Sequence, residues 1–380
     1  MLLTAEQLQV RDAARVFANK EISPHAAEWD RTGGAPRDIY RAMAKIGLMG
    51  VTIDPCYGGT GADFVTYALA IEEIAAADGG ISNVMAANNS PVSVALQNVG
   101  SDWQKENYLR KLTSGEWIGC IQLTEPEAGS DAAAITTSAV RDGNDYVIDG
   151  HKAFVTSGSI ANIAMIVAVT DSAAGKDGIT AFITQTDNPG YEVVHKESKL
   201  GHRTNDTCEI RLNQMRVPAH DVLGEPGHGL RITLENLSLG RIGVAAQATG
   251  GARAALKAAL SYARTRETFG KPIDQHQAIS FKLSEMATQI EASRQLYLHA
   301  ARLKDARQEC VREASMAKLF ASEMAERVAS AAIQIHGGYG YLNDYPVEKI
   351  YRDVRVYQIY EGSSEVQKIL ISRGLSELDI

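Results

Sequence analysis

Hydrophobic and polar positions along the chain fall into three textures. In the first, apolar residues recur at helical spacing: Val10, Ala13, Ala14 and Phe17 follow an i, i+3, i+4, i+7 pattern, and Thr4 with Gln7 reads as a capping box opening that helix. Pro24, Gly33-Gly34-Ala35-Pro36 and Tyr57-Gly58-Gly59-Thr60-Gly61 punctuate the stretch, and the Ala-rich run from Ala68 to Ala77 suits tight helix packing. From Ile121 to His228 short apolar runs (Tyr146 to Ile148, Ile163 to Val169, Ile179 to Thr184) are separated by turn signals such as Asp142-Gly143 and Asn188-Pro189-Gly190, and Cys208 to Leu212 alternates apolar with polar. After Gly229 the helical period returns, with Ile279, Leu283, Met286 and Ile290 on one stripe and Ala317, Ala321, Met324, Val328, Ala331 and Ile335 on another. The pattern predicts a mainly α protein with an inserted β domain: helices over residues 1–120, a compact β-sandwich or barrel over 121–228, and a helical bundle over 229–380.

Composition changes this picture little. The 380 residues, 45% hydrophobic and 22% charged, can bury a large core. A net charge of −8 without a Lys/Arg block argues against nucleic acid and anionic membranes as partners. Cys56, Cys120, Cys208 and Cys310 form no CxxC pair and the nine histidines no ligand spacing, so the sequence predicts neither a metal site nor disulfides. The start Met1-Leu2-Leu3-Thr4 lacks a signal-peptide pattern and no run suits a membrane span, so a cytoplasmic location is expected.

H-E-x-x-H, G-x-S-x-G and the P-loop pattern are all missing, and the glycines at 58–61 do not follow a strand as a dinucleotide fingerprint requires. What stands out instead is a set of polar or glycine-rich islands in apolar surroundings. They are Gln122 to Asp131, Phe154 to Gly158, Tyr262 to Ile273 with Gln277, Gln334 to Gly340, and the stretch Tyr360-Glu361-Gly362-Ser363-Ser364. In the last, Ser364 with Gln367 reads as a capping box, leaving Glu361 at a bend where it is either a solvated loop acid or a carboxylate facing a cavity. Singly, the others read equally well as turns and caps: Gly337-Gly338 as a helix C-cap, Arg266 as an ion-pair partner of Glu267.

Together, in this order and over nearly the whole chain, the islands resemble the acyl-CoA dehydrogenase family of flavoenzymes, most of all its short-chain members. The resemblance implies a helical N-terminal domain, a middle β domain and a C-terminal four-helix bundle, with FAD as cofactor and a homotetramer in which one subunit helps to hold its neighbour's flavin. It implies that Leu123, Thr124, Ser130, Phe154 and Thr156 surround the flavin ring, with Phe154 standing where the family usually has Trp. Arg266, Phe269 and Gln277 would reach the adjacent subunit's cofactor, and Gln334, Gly337 and Gly338 would let the dinucleotide approach the backbone. Ser363, in place of a common Thr, and Glu365 would complete the flavin contacts.

The same resemblance makes Glu361 the base that takes the α-proton of an acyl thioester while the β-hydride goes to flavin. Gly362, Ser130 and Arg241 would then be substrate contacts. Some relatives place the base just before that arginine, but Gly240 cannot serve. No Lys or Arg lies between Ile81 and Ser93, where dicarboxylyl-specific relatives carry an arginine, and Asn88-Asn89-Ser90 looks most like short-chain members. The expected substrate is therefore an uncharged short- or medium-chain acyl-CoA, a branched short chain coming next, with electron transfer flavoprotein as acceptor. A non-catalytic flavoprotein scaffold is the alternative from another class, and it would not need Glu361. An oxidase of the same fold normally adds a further C-terminal domain, which this chain is expected to lack.

Overall fold

The structure is a computed structural model that describes residues 2–375; residues 376–380 at the end of the predicted bundle lie outside the described residues. Helix α1 (Ala5–Phe17) opens with the Thr4/Gln7 capping box read from sequence. Its inner face is Ala14 with Val10 and Phe17 packed behind, while Ala13 turns to solvent. Helices α2 (Phe64–Ala77) and α3 (Gly79–Ala87) follow, joined at Asp78, whose carboxylate caps α3 by accepting from Ile81 N at 2.8 Å. From Val65 to Ala75 every residue of α2 is buried, which is why that segment shows no amphipathic period.

The middle of the chain forms one mixed sheet of seven strands: β1 (Gly119–Gln122), β2 (Ser138–Asp142), β3 (Asp145–Thr156), β4 (Ile163–Val169), β5 (Ile179–Gln185), β6 (Tyr191–Lys196) and β7 (Thr207–Pro218). Their order is β1-β4-β2-β3-β7-β6, with β5 paired to β4. β4 is buried on both faces and so reads as a continuous apolar run. Ile163 and Met165 pack with Leu96 and Leu112 of the N-terminal helices, whereas Ala164, Ile166 and Ala168 pack with Ile148, Ile210 and Met215 of β3 and β7. The sheet bends around this second cluster as a half-barrel.

Helices α4 (Gly229–Thr265), α5 (Gln277–Asp305) and α6 (Val311–His336) form the bundle, closed by α7 (Pro346–Val354) and α8 (Ser364–Leu375). Both predicted stripes face inward, and Met286 and Met324 fill the core as ordinary apolar residues. The largest cluster joins α1, α2 and the bundle into one core.

Two carboxylates of α2 cross-tie that core. Glu72, 2% exposed, meets Arg294 at 2.6 Å and Arg253 at 3.1 Å and accepts from the Tyr297 hydroxyl; Glu73 meets Arg253 at 2.6 Å and Arg15 at 2.8 Å. Burial alone would raise the Glu72 pKa, but the two guanidinium groups and the tyrosine hold it below the usual carboxylate range.

The Asn88-Asn89 pair is a second fastening. The Asn88 amide donates to Met49 O and Leu112 O and its carbonyl accepts from Gly119 N; Asn89 bonds Leu48 O, Met85 O and Val51 N. Asn88 thus ties the first domain to β1, and Asn89 ties the loop through Leu48 and Val51 to α3.

Candidate active site

The helical turns after α7 end at Gln358, and the backbone then reverses through two consecutive left-handed residues, Glu361 (φ 55°) and Gly362 (φ 87°). Glycine is needed at 362, because a Cβ there would lie 2.7 Å from the Gln367 amide nitrogen as well as at an unfavourable φ. The capping box predicted from Ser364 and Gln367 is shifted by one residue. Ser363 holds the cap, accepting from Val366 N at 3.5 Å and, through its carbonyl, from Gln367 N at 3.0 Å; the Ser364 hydroxyl is buried without a partner among the described residues. The left-handed pair turns its carbonyls inward, and the Gln367 side chain is drawn to them, at 3.3 Å from Glu361 O and 2.7 Å from Gly362 O.

The Glu361 side chain turns away from bulk solvent toward α4. Its Oε2 is buried with no hydrogen-bond partner among the described residues, and a Cβ built on Gly240 would lie 2.7 Å from it. Desolvation raises the Glu361 pKa to about 7, against the opposing pull of Arg241 and Lys318. Arg241 is buried, its Nη1 3.3 Å from Ser238 Oγ and 3.4 Å from Ser315 Oγ, and its Nε lacks a partner among the described residues. Lys318, fully buried on α6, donates to Gly362 O at 2.7 Å. The Glu361 N–H finds no acceptor among the described residues. Ser363 is half-buried in the cap and Glu365 is exposed on the first turn of α8.

Leu123 and Thr124 leave the end of β1 and run beside β3. Thr124 O accepts from Ala153 N at 2.9 Å, and Leu123 O accepts from the Lys152 ammonium at 3.1 Å. Lys152 also meets Glu125 at 2.9 Å. Burial would raise Glu125, yet Lys152 and the donors of Thr136 and Thr137 bring it down to about 2. The β3–β7 register shifts between Lys152 and Val155, releasing Phe154 from the ladder at φ 57° with its ring 67% exposed. Close to Phe154, Thr156 Oγ1 accepts from Asn83 of α3 at 3.3 Å, and the Ser157 hydroxyl is buried and without a partner among the described residues. Ser130 is exposed in the loop that follows Glu125.

A second group of predicted residues assembles at the opposite end of the helices that carry them. Arg266, Phe269, Gly337 and Gly338 line one cleft of about 580 Å³, floored by Tyr262 stacked on His336 at 4.4 Å between ring centroids. Among the described residues Arg266 makes no salt bridge; its guanidinium lies 6.0 Å from the centre of the Tyr339 ring. Phe269 projects with 98% of its surface exposed at φ 50°. Gln277 is exposed at the start of α5 outside this cleft's lining, and Gln334 lines a separate shallow depression with Arg327 and Tyr351.

The sequence reading missed Lys318, Lys152 and Asn83. Lys318 carried a signal, since a lysine next to Ala317 on an apolar helical stripe must find a buried partner.

The donor set suits a cofactor with a flat ring and an anionic linker: an uncovered aromatic face, the Ser157 hydroxyl beside it, and over a glycine-lined cleft a guanidinium that makes no salt bridge among the described residues. Comparison with known proteins names such a family. Its N-terminal domain matches residues 4–116, its middle domain 120–215 and its C-terminal domain 227–376. An acyl-CoA dehydrogenase of Bacillus subtilis is 44% identical over 375 residues, covering 99% of both chains. The butyryl-CoA dehydrogenase structure from Megasphaera elsdenii superposes with a TM-score of 0.97 at 39% identity, over 99% of each chain. A chain solved in a study of the electron transferring flavoprotein of Acidaminococcus fermentans gives a TM-score of 0.97 at 40% identity, again over 99% of each. The chain belongs to the acyl-CoA dehydrogenase family of FAD-dependent oxidoreductases.

Proposed function

We propose that this acyl-CoA dehydrogenase acts on an uncharged short- or medium-chain acyl-CoA, yielding the trans-2-enoyl-CoA, with Glu361 as the base. The observation that carries the reading is the Glu361 carboxylate: on a half-buried residue, its Oε2 is buried and without a partner among the described residues, and desolvation raises its pKa to about 7. A carboxylate so placed is a stronger base than one in water and is poised to change protonation near neutrality. It requires an acid made more acidic than a plain aliphatic C–H, and the unpaired Glu361 N–H is a donor available to a thioester carbonyl. FAD, when bound, supplies the acceptor for the β-hydride.

Leu123, Thr124, Ser130, Phe154 and Thr156 are assigned to the flavin ring, with Ser363 and Glu365 beside them; Arg266, Phe269, Gln277, Gln334, Gly337 and Gly338 are assigned to the dinucleotide of a neighbouring subunit in a homotetramer. Arg241, Ser130 and Gly362 are assigned to the substrate. The absence of a cation between Ile81 and Ser93 argues for an uncharged acyl end, and the likeness to a butyryl-CoA dehydrogenase argues for a short one. The likeness to a chain studied with an electron transferring flavoprotein supports such a protein as acceptor. Among the described residues no helix is long and apolar enough to cross a membrane, and we place the enzyme in the cytoplasm.

The test is Glu361→Gln under anaerobic conditions. The variant is expected to bind FAD and acyl-CoA and to leave the flavin oxidised; normal bleaching would falsify the assignment.

A further inference from the structure

We propose that Lys318 is a positioning residue for the Glu361 carboxylate, gripping the Glu361-Gly362 turn from α6 through the Gly362 carbonyl. The inference rests on the base assignment above and extends it to a residue with no role there. Lys318 is fully buried, a placement an ammonium accepts only in return for compensating interactions. Its Nζ donates to Gly362 O at 2.7 Å, but that oxygen already receives the Gln367 amide at 2.7 Å. The carbonyl therefore does not need the lysine to be satisfied, and what Lys318 adds is a second anchor and a charge.

The anchor matters because Glu361 and Gly362 are both left-handed, and such a pair persists only where its surroundings over-determine it. Gln367 holds the turn from α8 and Lys318 holds it from α6. With one hold removed, the glutamate is free to rotate away from the gap at Gly240. The charge matters because few groups oppose the desolvation of Glu361. Arg241 on α4 and Lys318 on α6 stabilise its ionised form, whereas Tyr67 on α2 and Tyr360 on the same turn are neutral phenols, and Glu365 on α8 is exposed.

The FAD-loaded Lys318→Met and Lys318→Arg variants test this by anaerobic flavin reduction as a function of pH. Lys318→Met is expected to bind FAD and acyl-CoA but to reduce flavin on the order of tenfold more slowly at pH 7. Its acid limb should move up by roughly one unit, since the lost cation no longer favours the carboxylate, while Lys318→Arg keeps the limb in place. A wild-type rate and limb in Lys318→Met would overturn the proposal. Should that variant not accumulate with FAD, Lys318→Gln takes its place, and a limb equal to that of Lys318→Arg overturns the proposal in the same way. Running Glu361→Gln alongside separates the two readings: normal bleaching there removes the base itself, whereas an inactive Glu361→Gln beside an unaltered Lys318 variant removes only the role of Lys318.

Discussion

Oε2 of Glu361 occupies the space that a side chain at Gly240 would fill, 2.7 Å from where its Cβ would stand. The two residues lie on different elements, α4 and the turn before α8, and the absence of one side chain is what gives the other its place. Gly240→Ala tests this relationship. The clashing atoms are the tip of a mobile side chain, so the fold yields cheaply, and alanine gains about 1 kcal/mol of helix propensity over glycine. Stability is expected to hold or rise slightly in a thermal melt while flavin reduction falls at least tenfold, roughly the cost of moving a reacting group out of line.

The pH profile follows from the same carboxylate. Activity should climb through an apparent pKa of about 7 in kcat/KM, because only the ionised form accepts a proton. Stability takes the opposite sense: a carboxyl whose folded pKa is raised is comfortable while neutral, and its contribution is lost as pH rises through 7. Glu361→Gln should therefore melt with the wild type at pH 4 and above it at pH 8, by up to on the order of 3 kcal/mol. Equal melting points at pH 8 would contradict the raised value.

Glu72 predicts the reverse dependence. Its pKa is held down by Arg294, Arg253 and Tyr297, so its contribution is present at neutral pH and is lost as acid protonates it below the ordinary carboxylate range. Glu72→Ala leaves Arg253 to Glu73 and Arg294 to the exposed Glu291 and strips the buried Tyr297 hydroxyl of its acceptor, so a loss of about 3 kcal/mol, the lower end for breaking a buried pair, is expected by denaturant titration.

Phe154 separates a binding platform from a packing residue. With 67% of its surface exposed it supports little of the fold, so Phe154→Ala should change apoprotein stability by no more than about 0.5 kcal/mol. Its effect should fall on FAD affinity, measured by fluorescence titration, and Phe154→Trp should tighten binding by enlarging the stacking face.

Phe269 makes a prediction about assembly. A ring 98% exposed beside the Arg266 cleft is expected to be buried by another subunit, and Phe269→Asp should shift the size-exclusion profile toward smaller species and weaken FAD retention together. Retention of both would leave Phe269 as an ordinary surface residue.

The sequence by itself determined the element types, the order helix, sheet, helix, and the islands whose joint occurrence points to the family. These follow from local rules: period 3.6 against alternation, turn residues at fixed spacing, and a capping box at Thr4 that the structure keeps. Local rules also produced the one-residue error at Ser364, because which serine caps α8 depends on where the preceding left-handed pair sends its carbonyls. The resemblance takes Asn88 and Asn89 as a mark of short-chain members, and the structure adds that packing uses both side chains as struts. Only the tertiary structure decided that Glu361 faces Gly240 and not water, and that a lysine 44 residues away from Gly362 in the chain holds its carbonyl. Burial, unpaired oxygens and shifted pKa values belong to the space between elements, and that space is set by long-range packing that no window of sequence contains.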